Sequence, residues 1–353
     1  MKTEAMVIRS NGGPEVLARE TIELPEPGPR QVRVRVRAVA LNHMDIWARK
    51  GLPNVKYEWP HRLGADIVGE IDALGEGARA ASGKLVIGQK IVVSPGVSCG
   101  VCARCLSGSD NLCSQYKIHG EHTQGGYARH INIPDANVLP FPSGPDGDMS
   151  FTEVAAVPLT FLTAWQMVTR RAQVSPGDTV LVQAAGSGVS SAAIQIAKLL
   201  GARVIATAGS DEKCARALVI GADHAINYTT QDFVAECKQL TGKKGVDSVI
   251  EHVGGDVFVR SILATKWGGK VVSCGATAGF SPTIDLRQIF FRQVQVLGST
   301  MGSKGDLFRI LELVAQQKLK PVIDRVLPLW SAAEAHRILE ERRAFGKVVL
   351  EVD

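Results

Sequence analysis

The most constraining feature of the sequence is an apolar run that ends in a glycine-containing turn and then continues at helical spacing. The run TVLVQAA, at 179–185, leads directly into GSGVSS. The apolar residues that follow at helical spacing are Val189, Ala193, Ile196, Ala197 and Leu200. In a strand, glycine turn and helix of this kind, the free amides at the helix start can bind a pyrophosphate. The residues predicted to form this nucleotide site are Gly186, Ser187, Gly188 and Val189.

The match to the dinucleotide-binding pattern GxGxxG is incomplete. The segment lacks the third glycine, and the small residues Ser190 and Ser191 stand near its place. The alternative is that the glycines only make a tight turn between a strand and a helix. The context of further strands and helices favours nucleotide binding.

The chain from 156 to 299 has the pattern of a doubly wound α/β domain. Short apolar runs alternate with segments long enough to form crossover helices, which is typical of a parallel sheet covered on both faces. The predicted strands are TVLVQAA, RVIATA, HAINY, SVIEHV, KVVSCGA and VQVLGST. We therefore predict a Rossmann domain over these residues.

The first 155 residues have a different pattern of apolar and polar residues. Val32, Val34 and Val36 alternate with arginines at the two-residue period of a half-buried strand. Further short, glycine-punctuated segments follow, and they predict an irregular antiparallel β-barrel. The proline- and glycine-rich stretch PFPSGPDGDMS is the predicted loop before the domain boundary.

Four of the seven cysteines fall within fifteen residues. Cys99, Cys102, Cys105 and Cys113 follow the pattern Cx2Cx2Cx7C, which suits one tetrahedral zinc ion wrapped by one loop. A full set of thiolates leaves no open position, so the predicted role is structural. Disulfides and an iron–sulfur cluster are the alternatives. Cys214, Cys237 and Cys274 are expected to be buried thiols.

Several motifs resemble the medium-chain dehydrogenase/reductase superfamily along the whole chain. They are LNHMD at 41–45, LGADIVGEI at 63–71, GQKIVV at 88–93, the four-cysteine loop, GGYA at 125–128 and AAGSGVS at 184–190. The resemblance implies that the first domain is GroES-like and is completed by residues 300–353. It also implies a homodimer or homotetramer, and it is strongest to the quinone oxidoreductase and enoyl reductase branch.

The resemblance also implies that no catalytic zinc is bound. Asn42, Ala65 and Leu159 stand where similar alcohol dehydrogenases carry zinc ligands. His43 and His61 lie nearby, but they lack a third ligand and are expected to contact the cofactor or the backbone. Zinc assists alcohol oxidation by lowering the pKa of the alcohol, whereas hydride addition to a conjugated double bond needs less assistance.

The expected substrate is therefore an enone, a quinone or an enoyl-CoA thioester. By resemblance, Asn42 and Asp45 match an NxxD motif that borders the reaction site. For Asp45 the alternative is a helix cap. Tyr57 is a candidate proton donor, with solvent as an equal alternative. Arg49, Lys50, Lys56 and Arg62 could attract a CoA phosphate, although basic side chains are commonly solvated.

The cofactor is predicted to be NADPH, with NADH possible. Ala208 and Gly209 end the second strand, where an NAD-specific protein would carry a carboxylate, while Ser210 and Lys213 could bind a phosphate. If Asp211 reached the ribose, the preference would reverse. The other residues that the resemblance assigns to the cofactor are Thr163, Tyr228, Gly275 and Ala276. Tyr228 could equally be an ordinary aromatic residue at a strand end.

Composition narrows the class of function. The net charge is +5 and there is no basic block, so nucleic acid has little support as a partner, and a small-molecule substrate is expected. No long apolar run is present and the first residues do not resemble a secretory signal, which predicts a cytoplasmic protein without membrane association. A zinc-dependent alcohol dehydrogenase and a non-catalytic NADPH-binding protein are the alternative functions.

Overall fold

The computed structural model describes residues 1–53, 55–81, 83–144 and 147–353. Within them the chain packs as two compact units, Met1–Thr160 with Ser303–Asp353, and Phe161–Gly302. The sequence placed the boundaries at 155/156 and 299/300. Pro145 and Asp146, within the predicted loop PFPSGPDGDMS, lie outside the described residues.

The strands and the helices have the following bounds. The strands are β1 Lys2–Val7, β2 Ala18–Glu23, β3 Gln31–Ala40, β4 Asp66–Leu74, β5 Lys90–Val93, β6 Gly96–Val97, β7 Lys117–Ile118, β8 His130–Pro134, β9 Val138–Pro140, β10 Ser143–Gly144, β11 Gly147–Asp148, β12 Thr179–Val182, β13 Arg203–Ala208, β14 His224–Asn227, β15 Val246–Glu251, β16 Thr265–Ser273, β17 Gln295–Gly298, β18 Ile323–Pro328 and β19 Lys347–Glu351. The helices are α1 His43–Lys50, α2 Ala103–Leu106, α3 Phe151–Ala155, α4 Pro158–Trp165, α5 Gly188–Leu199, α6 Asp211–Val219, α7 Phe233–Leu240, α8 Gly255–Ala264, α9 Arg287–Phe290, α10 Lys304–Ala315 and α11 Ala332–Glu340.

The first unit is built on a sheet with the order β18-β19-β3-β4-β5-β9, in which β8 also pairs with β3. The pairings of β3, β4, β5, β8 and β9 are antiparallel, and β18 runs parallel to β19. The valines of β3 face the core because alternate strand residues share one face. Val32, Val34 and Val36 are buried, as their spacing predicts.

The C-terminal segment completes this sheet. β19 lies between β18 and β3, and residues 349–351 pair antiparallel with residues 38–40. The apolar face of α11 joins the same core through Ala332, Ala335 and Ile338. Residues 303–353 therefore belong to the first unit. The hairpin of β1 and β2 was not predicted from the sequence.

The second unit is a parallel sheet with the order β14-β13-β12-β15-β16-β17. The six predicted strands are all present. Their buried residues, among them Leu181, Ile205 and Val249, pack with Phe233 of α7 and Ile262 of α8. The order reverses between β12 and β15, which is where open α/β sheets bind ligands, outside the carboxyl ends of the strands.

Two sequence expectations for charged residues are wrong. Arg49 and Arg62, considered as attractants for a CoA phosphate, are buried. The guanidinium of Arg49 donates to the Gly12 carbonyl, to Nδ1 of His336 and to Glu340. That of Arg62 donates to Gln124 Oε1 and to the His130 carbonyl. Arg49 thus joins α1 to α11, and Arg62 joins its loop to β8 and to the segment before it. Both guanidinium groups are paired, as burial requires. Lys50 is paired with Glu340.

None of the helices in the described part of the chain has the length and apolar character needed to cross a bilayer.

Candidate functional site

The four cysteines of the predicted zinc site come together in the first unit. Their sulfur atoms all lie within 4.8 Å of one another. The Sγ of Cys99 is 3.5 Å from that of Cys113 and 3.8 Å from that of Cys105, and 3.5 Å separates the sulfurs of Cys102 and Cys105. Four thiolates around one zinc, each about 2.3 Å from it, are spaced about 3.8 Å apart in a tetrahedron. The cluster therefore fits one zinc ion.

The loop that carries these cysteines turns sharply at two glycines. Gly100 and Gly108 adopt positive φ angles of 75° and 74°, which side chains with a Cβ rarely adopt. All four thiols are free, and the sulfur separations exceed the roughly 2.05 Å of a disulfide bond. The alternative of disulfide pairing therefore does not match the described geometry.

A second polar cluster in the first unit surrounds Asn42. The Lys347 ammonium donates to the Asp66 carboxylate at 2.9 Å, to Asn42 Oδ1 at 2.7 Å and to the Leu41 carbonyl at 2.6 Å. Asn42 Nδ2 donates to the same Asp66 oxygen at 2.9 Å. The second oxygen of Asp66 accepts from the Leu159 backbone at 2.7 Å. The three donor hydrogens of Lys347 and the polar atoms of Asn42 thus all have protein partners.

Asp45 caps α1, in agreement with the alternative that the sequence left open. Its two oxygens accept from the backbone N–H groups of Asn42, at 2.7 Å, and of Gly64, at 2.9 Å. Burial raises the pKa of Asp45 to about 6, against the lowering effect of these two hydrogen bonds and of Lys347. Asp45 joins the start of α1 to the loop before β4.

His43 and His61 do not form a metal site with Asp45. Across the described residues, the four cysteines are the single group of three or more His, Cys, Asp or Glu side chains close enough to hold an ion. His61 Nε2 lies 3.1 Å from the Gly120 carbonyl, and the His43 ring packs edge-on against Trp47. The expected backbone contact of His61 is therefore present.

Tyr57 lies in the loop between α1 and β4. Its ring packs against that of His61, with a centroid separation of 4.7 Å. Its hydroxyl is buried and has no hydrogen-bond partner among the described residues. Burial, and then the negative charge of Glu121, raise the pKa of Tyr57.

The glycine turn of the second unit has the geometry expected for binding a pyrophosphate. β12 ends at Val182, Ala184 takes a positive φ of 53°, and α5 begins at Gly188. The Ser187 hydroxyl caps α5 by accepting from the Ser190 N–H at 3.0 Å. The first amides of a helix have no partners within it, so the start of α5 offers donors and a positive dipole potential.

The end of β13 carries the residues expected to distinguish NADPH from NADH. Ser210 caps α6 by accepting from the Lys213 N–H at 3.2 Å. A Cβ on Gly209 would lie 2.6 Å from the Tyr228 hydroxyl, so glycine allows Tyr228 to approach this turn. Asp211 accepts a hydrogen bond from Asn227 Nδ2 at 2.7 Å. Asp211 therefore has a protein partner on β14, the strand that pairs with β13.

The remaining residues assigned to the cofactor lie in the second unit. Thr163 is buried on α4. Gly275 and Ala276 follow the carboxyl end of β16 and lie against the turn after β15, where a Cβ on Gly254 would be 2.8 Å from the Ala276 Cα. The buried Glu251 carboxylate holds that turn by accepting from the N–H groups of Val253 and Gly254.

Sequence reasoning missed Asp66, Lys347 and His252. A charged residue opening the apolar run KVVLEV was a possible signal for Lys347. His252 Nε2 lies 2.9 Å from Ser187 Oγ and 2.8 Å from Ser190 Oγ, but its position in the run SVIEHV gave no sign of this.

Comparisons with known proteins agree with both units. Family models match the alcohol dehydrogenase GroES-like domain at residues 28–143 and the zinc-binding dehydrogenase domain at residues 188–316. A crystal structure described as an NAD-dependent alcohol dehydrogenase is 54% identical, with a TM-score of 0.94, over 99% of this chain and 100% of that one.

The chain belongs to the medium-chain dehydrogenase/reductase superfamily.

Other members of the superfamily are named for different reactions. A 2-haloacrylate reductase from Burkholderia sp is 28% identical over 98% of this chain and 98% of its own length. The human quinone oxidoreductase is 29% identical over 96% of this chain and 94% of its own. The superfamily member described here is an oxidoreductase that uses a nicotinamide cofactor, and its four-cysteine cluster fits one zinc ion.

Zinc content tests the four-cysteine cluster. We expect about one zinc ion per chain, because one set of four thiolates holds one ion. Cys113→Ser should release most of the zinc and lower the midpoint of thermal unfolding, whereas Cys214→Ser, which changes a thiol outside the cluster, should keep it. Metal analysis by mass spectrometry of the three purified proteins measures this. About two zinc ions in the wild type, or full zinc in Cys113→Ser, would contradict the assignment.

Replacing Lys347 by Met tests the buried ion pair with Asp66. Because both side chains are almost wholly buried, the variant leaves a carboxylate without its cation. The free energy of unfolding should fall by about 3–5 kcal/mol. Denaturant unfolding measures it, with the double variant Asp66→Asn/Lys347→Met as the matched control, which should lose less. A loss below about 1 kcal/mol in Lys347→Met would show that the pair is not needed.

Proposed function

We propose that this chain is an NADPH-dependent reductase of activated carbon–carbon double bonds that works without a catalytic metal. The observation that carries the proposal is the cluster around Asn42. Asn42, Ala65 and Leu159 stand where similar alcohol dehydrogenases carry zinc ligands, and Lys347 and Asp66 saturate the polar atoms of Asn42. A cationic ammonium bonded to Asn42 disfavours a second cation there.

This arrangement favours chemistry in which a metal is not needed. A bound nicotinamide supplies the hydride. The other requirement is a proton. Hydride adds to the β carbon of an enone or enoyl thioester and the proton then goes to the α carbon of the enolate, whereas a reduced quinone takes its proton on oxygen and becomes a hydroquinone. Tyr57 supports this role, since a phenol carries its proton at neutral pH and its oxygen has no hydrogen-bond partner among the described residues. Solvent remains the alternative donor.

The role of Asn42 and Asp45 is revised accordingly. Both amide atoms of Asn42 and both oxygens of Asp45 are engaged with other protein groups. We therefore propose that they shape the reaction site rather than donate or accept a proton during the reaction. Lys347 and Asp66 position Asn42 in the same way.

NADPH is the proposed cofactor because no carboxylate ends β13. Ser210 and the Tyr228 hydroxyl lie beside Gly209 instead, and Lys213 stands in the first turn of α6. A 2′-phosphate is an anion that a lysine and hydroxyl groups can bind. The pairing of Asp211 with Asn227 supports the same preference, because an engaged carboxylate is less available to ribose hydroxyls.

Lys213→Ala tests this preference. The dissociation constant for NADPH should rise by roughly tenfold, which corresponds to ~1.4 kcal/mol, while that for NADH should change by less than about twofold. Fluorescence titration of the reduced cofactors measures both constants. Lys238→Ala, in α7, is the matched control and should change neither. Tighter binding of NADH than of NADPH to the wild type would remove the hypothesis.

Oxidation of an alcohol with NAD is the second candidate, because the 54% identical structure is described as an NAD-dependent alcohol dehydrogenase. The two candidates differ in their metal requirement. Alcohol oxidation by a zinc-dependent site needs a second zinc and is abolished by a chelator, whereas the proposed reduction needs neither.

A panel of substrates decides between them. Oxidation of NADPH, followed by absorbance, should proceed with at least one enone, quinone or enoyl-CoA ester and should survive dialysis against a chelator that leaves the structural zinc in place. Tyr57→Phe should lower kcat if this hydroxyl supplies the proton, and should leave kcat unchanged if solvent does. Chelator-sensitive oxidation of simple alcohols, with no alkene reduction, would replace this proposal by the second candidate.

The other partners remain predictions. A small-molecule substrate is expected, a CoA thioester among the possibilities, in a cytoplasmic protein that binds neither nucleic acid nor membrane. Self-association as a homodimer or homotetramer is supported by β17, which in the described sheet pairs on one side only and exposes Val296.

A further inference from the structure

His252 connects two elements that meet at the point where the strand order of the parallel sheet reverses. It follows β15 directly, and β15 is the neighbour of β12, the strand that leads into the glycine turn. The pairing of the two strands continues past β12, since the Gln183 N–H donates to the Ile250 carbonyl at 3.0 Å. The residues that follow both strands are therefore side by side.

The imidazole contacts the two serines of the glycine turn. Its Nε2 is 2.9 Å from Ser187 Oγ and 2.8 Å from Ser190 Oγ, and the two hydroxyl oxygens are 3.0 Å apart. The three atoms form one compact hydrogen-bonded group. Ser190 is fully buried, so this group reaches below the surface of the turn.

The turn that carries His252 is itself held in place. The Glu251 carboxylate accepts from the N–H groups of Val253, at 2.6 Å, and of Gly254, at 2.7 Å, and from the Ser273 hydroxyl at 3.2 Å. Glu251 is fully buried. The imidazole therefore extends from a backbone whose position is fixed on both sides of the histidine.

The acceptor of each serine hydroxyl hydrogen can be assigned, starting with Ser190. Ser190 donates its hydrogen to the Gln183 carbonyl at 2.6 Å. Ser187 Oγ already accepts from the Ser190 N–H. If Nε2 of His252 carries the imidazole hydrogen, it donates to a serine oxygen. The Ser187 hydrogen, which in this structure is donated to Ser190 Oγ at 3.0 Å, can then turn outward from the start of α5 toward a bound ligand. If Nε2 is unprotonated, it accepts that hydrogen instead.

We infer that His252 is a cofactor-positioning residue, which orients the Ser187 hydroxyl so that it donates to the pyrophosphate at the glycine turn. The imidazole supplies the Nε2–H donor, and Ser187 supplies the donor to the phosphate oxygen. The inference rests on a dinucleotide binding at this turn and is independent of the substrate and of the 2′-phosphate.

ADP-ribose is the probe for the experiment, because it carries the pyrophosphate but neither nicotinamide nor a 2′-phosphate. Calorimetric titration of the zinc-loaded full chain measures its dissociation constant for the wild type and for His252→Ala, His252→Asn and His252→Gln. Gln can place an amide nitrogen near the position of Nε2, whereas Asn is too short. We expect a loss of roughly tenfold for Ala and Asn and of less than about threefold for Gln.

A matched control and a double variant separate positioning from general stability. His224, at the opposite end of the sheet on β14, also has a side-chain partner, Arg203, and His224→Ala should leave ADP-ribose binding unchanged. Because His252 acts through Ser187, the variant Ser187→Ala/His252→Ala should bind no more weakly than Ser187→Ala alone.

Three results would overturn the inference. They are wild-type affinity in His252→Ala, equal affinities of the Asn and Gln variants, and additive losses in the double variant. If His252→Ala does not fold, the comparison of Asn with Gln decides alone. Failure of the proposed reductase activity would show in the substrate panel and would leave these binding constants unchanged.

Discussion

The buried contact between Lys347 and Asp66 is the interaction on which the first unit depends. It joins β19 to the start of β4, two segments 281 residues apart, and it fixes Asn42 between them. A buried carboxylate and a buried ammonium are stable only as a hydrogen-bonded pair. The charges of Lys347 and Asp66 therefore neutralise each other beside Asn42.

Buried polar side chains are also paired with one another in the second unit. Glu251, His252 and the serines of the glycine turn satisfy one another at the carboxyl edge of the sheet. Polar groups buried beside a ligand site must have partners when the ligand is absent, and those partners hold the site in its binding geometry. The hydrogen bonds that pair the buried polar atoms of the turn are thus the same bonds that hold the turn in position.

The features that could be predicted from the sequence are those that depend on residues close together along the chain. The parallel strands were found because each is a short apolar run, and the zinc cluster because its four ligands share one loop. Lys347 was missed because its partners are distant along the chain. Arg49 and Arg62 were misjudged because nothing in a sequence shows whether a basic side chain is buried. Asp45 was open between two roles, and only the positions of two amide groups favoured the cap.

The position of β19 between β18 and β3 has a consequence for the order of folding during synthesis. The second unit, at Phe161–Gly302, leaves the ribosome complete before the last strand of the first unit is made. Synthesis proceeds at about 5–20 residues per second and about 300 residues separate β3 from β19, so β3 lacks its final neighbour for roughly 15–60 seconds. The sheet of the first unit stays incomplete until the C-terminal strand has been synthesised. During that time its exposed strand edges are prone to mispairing.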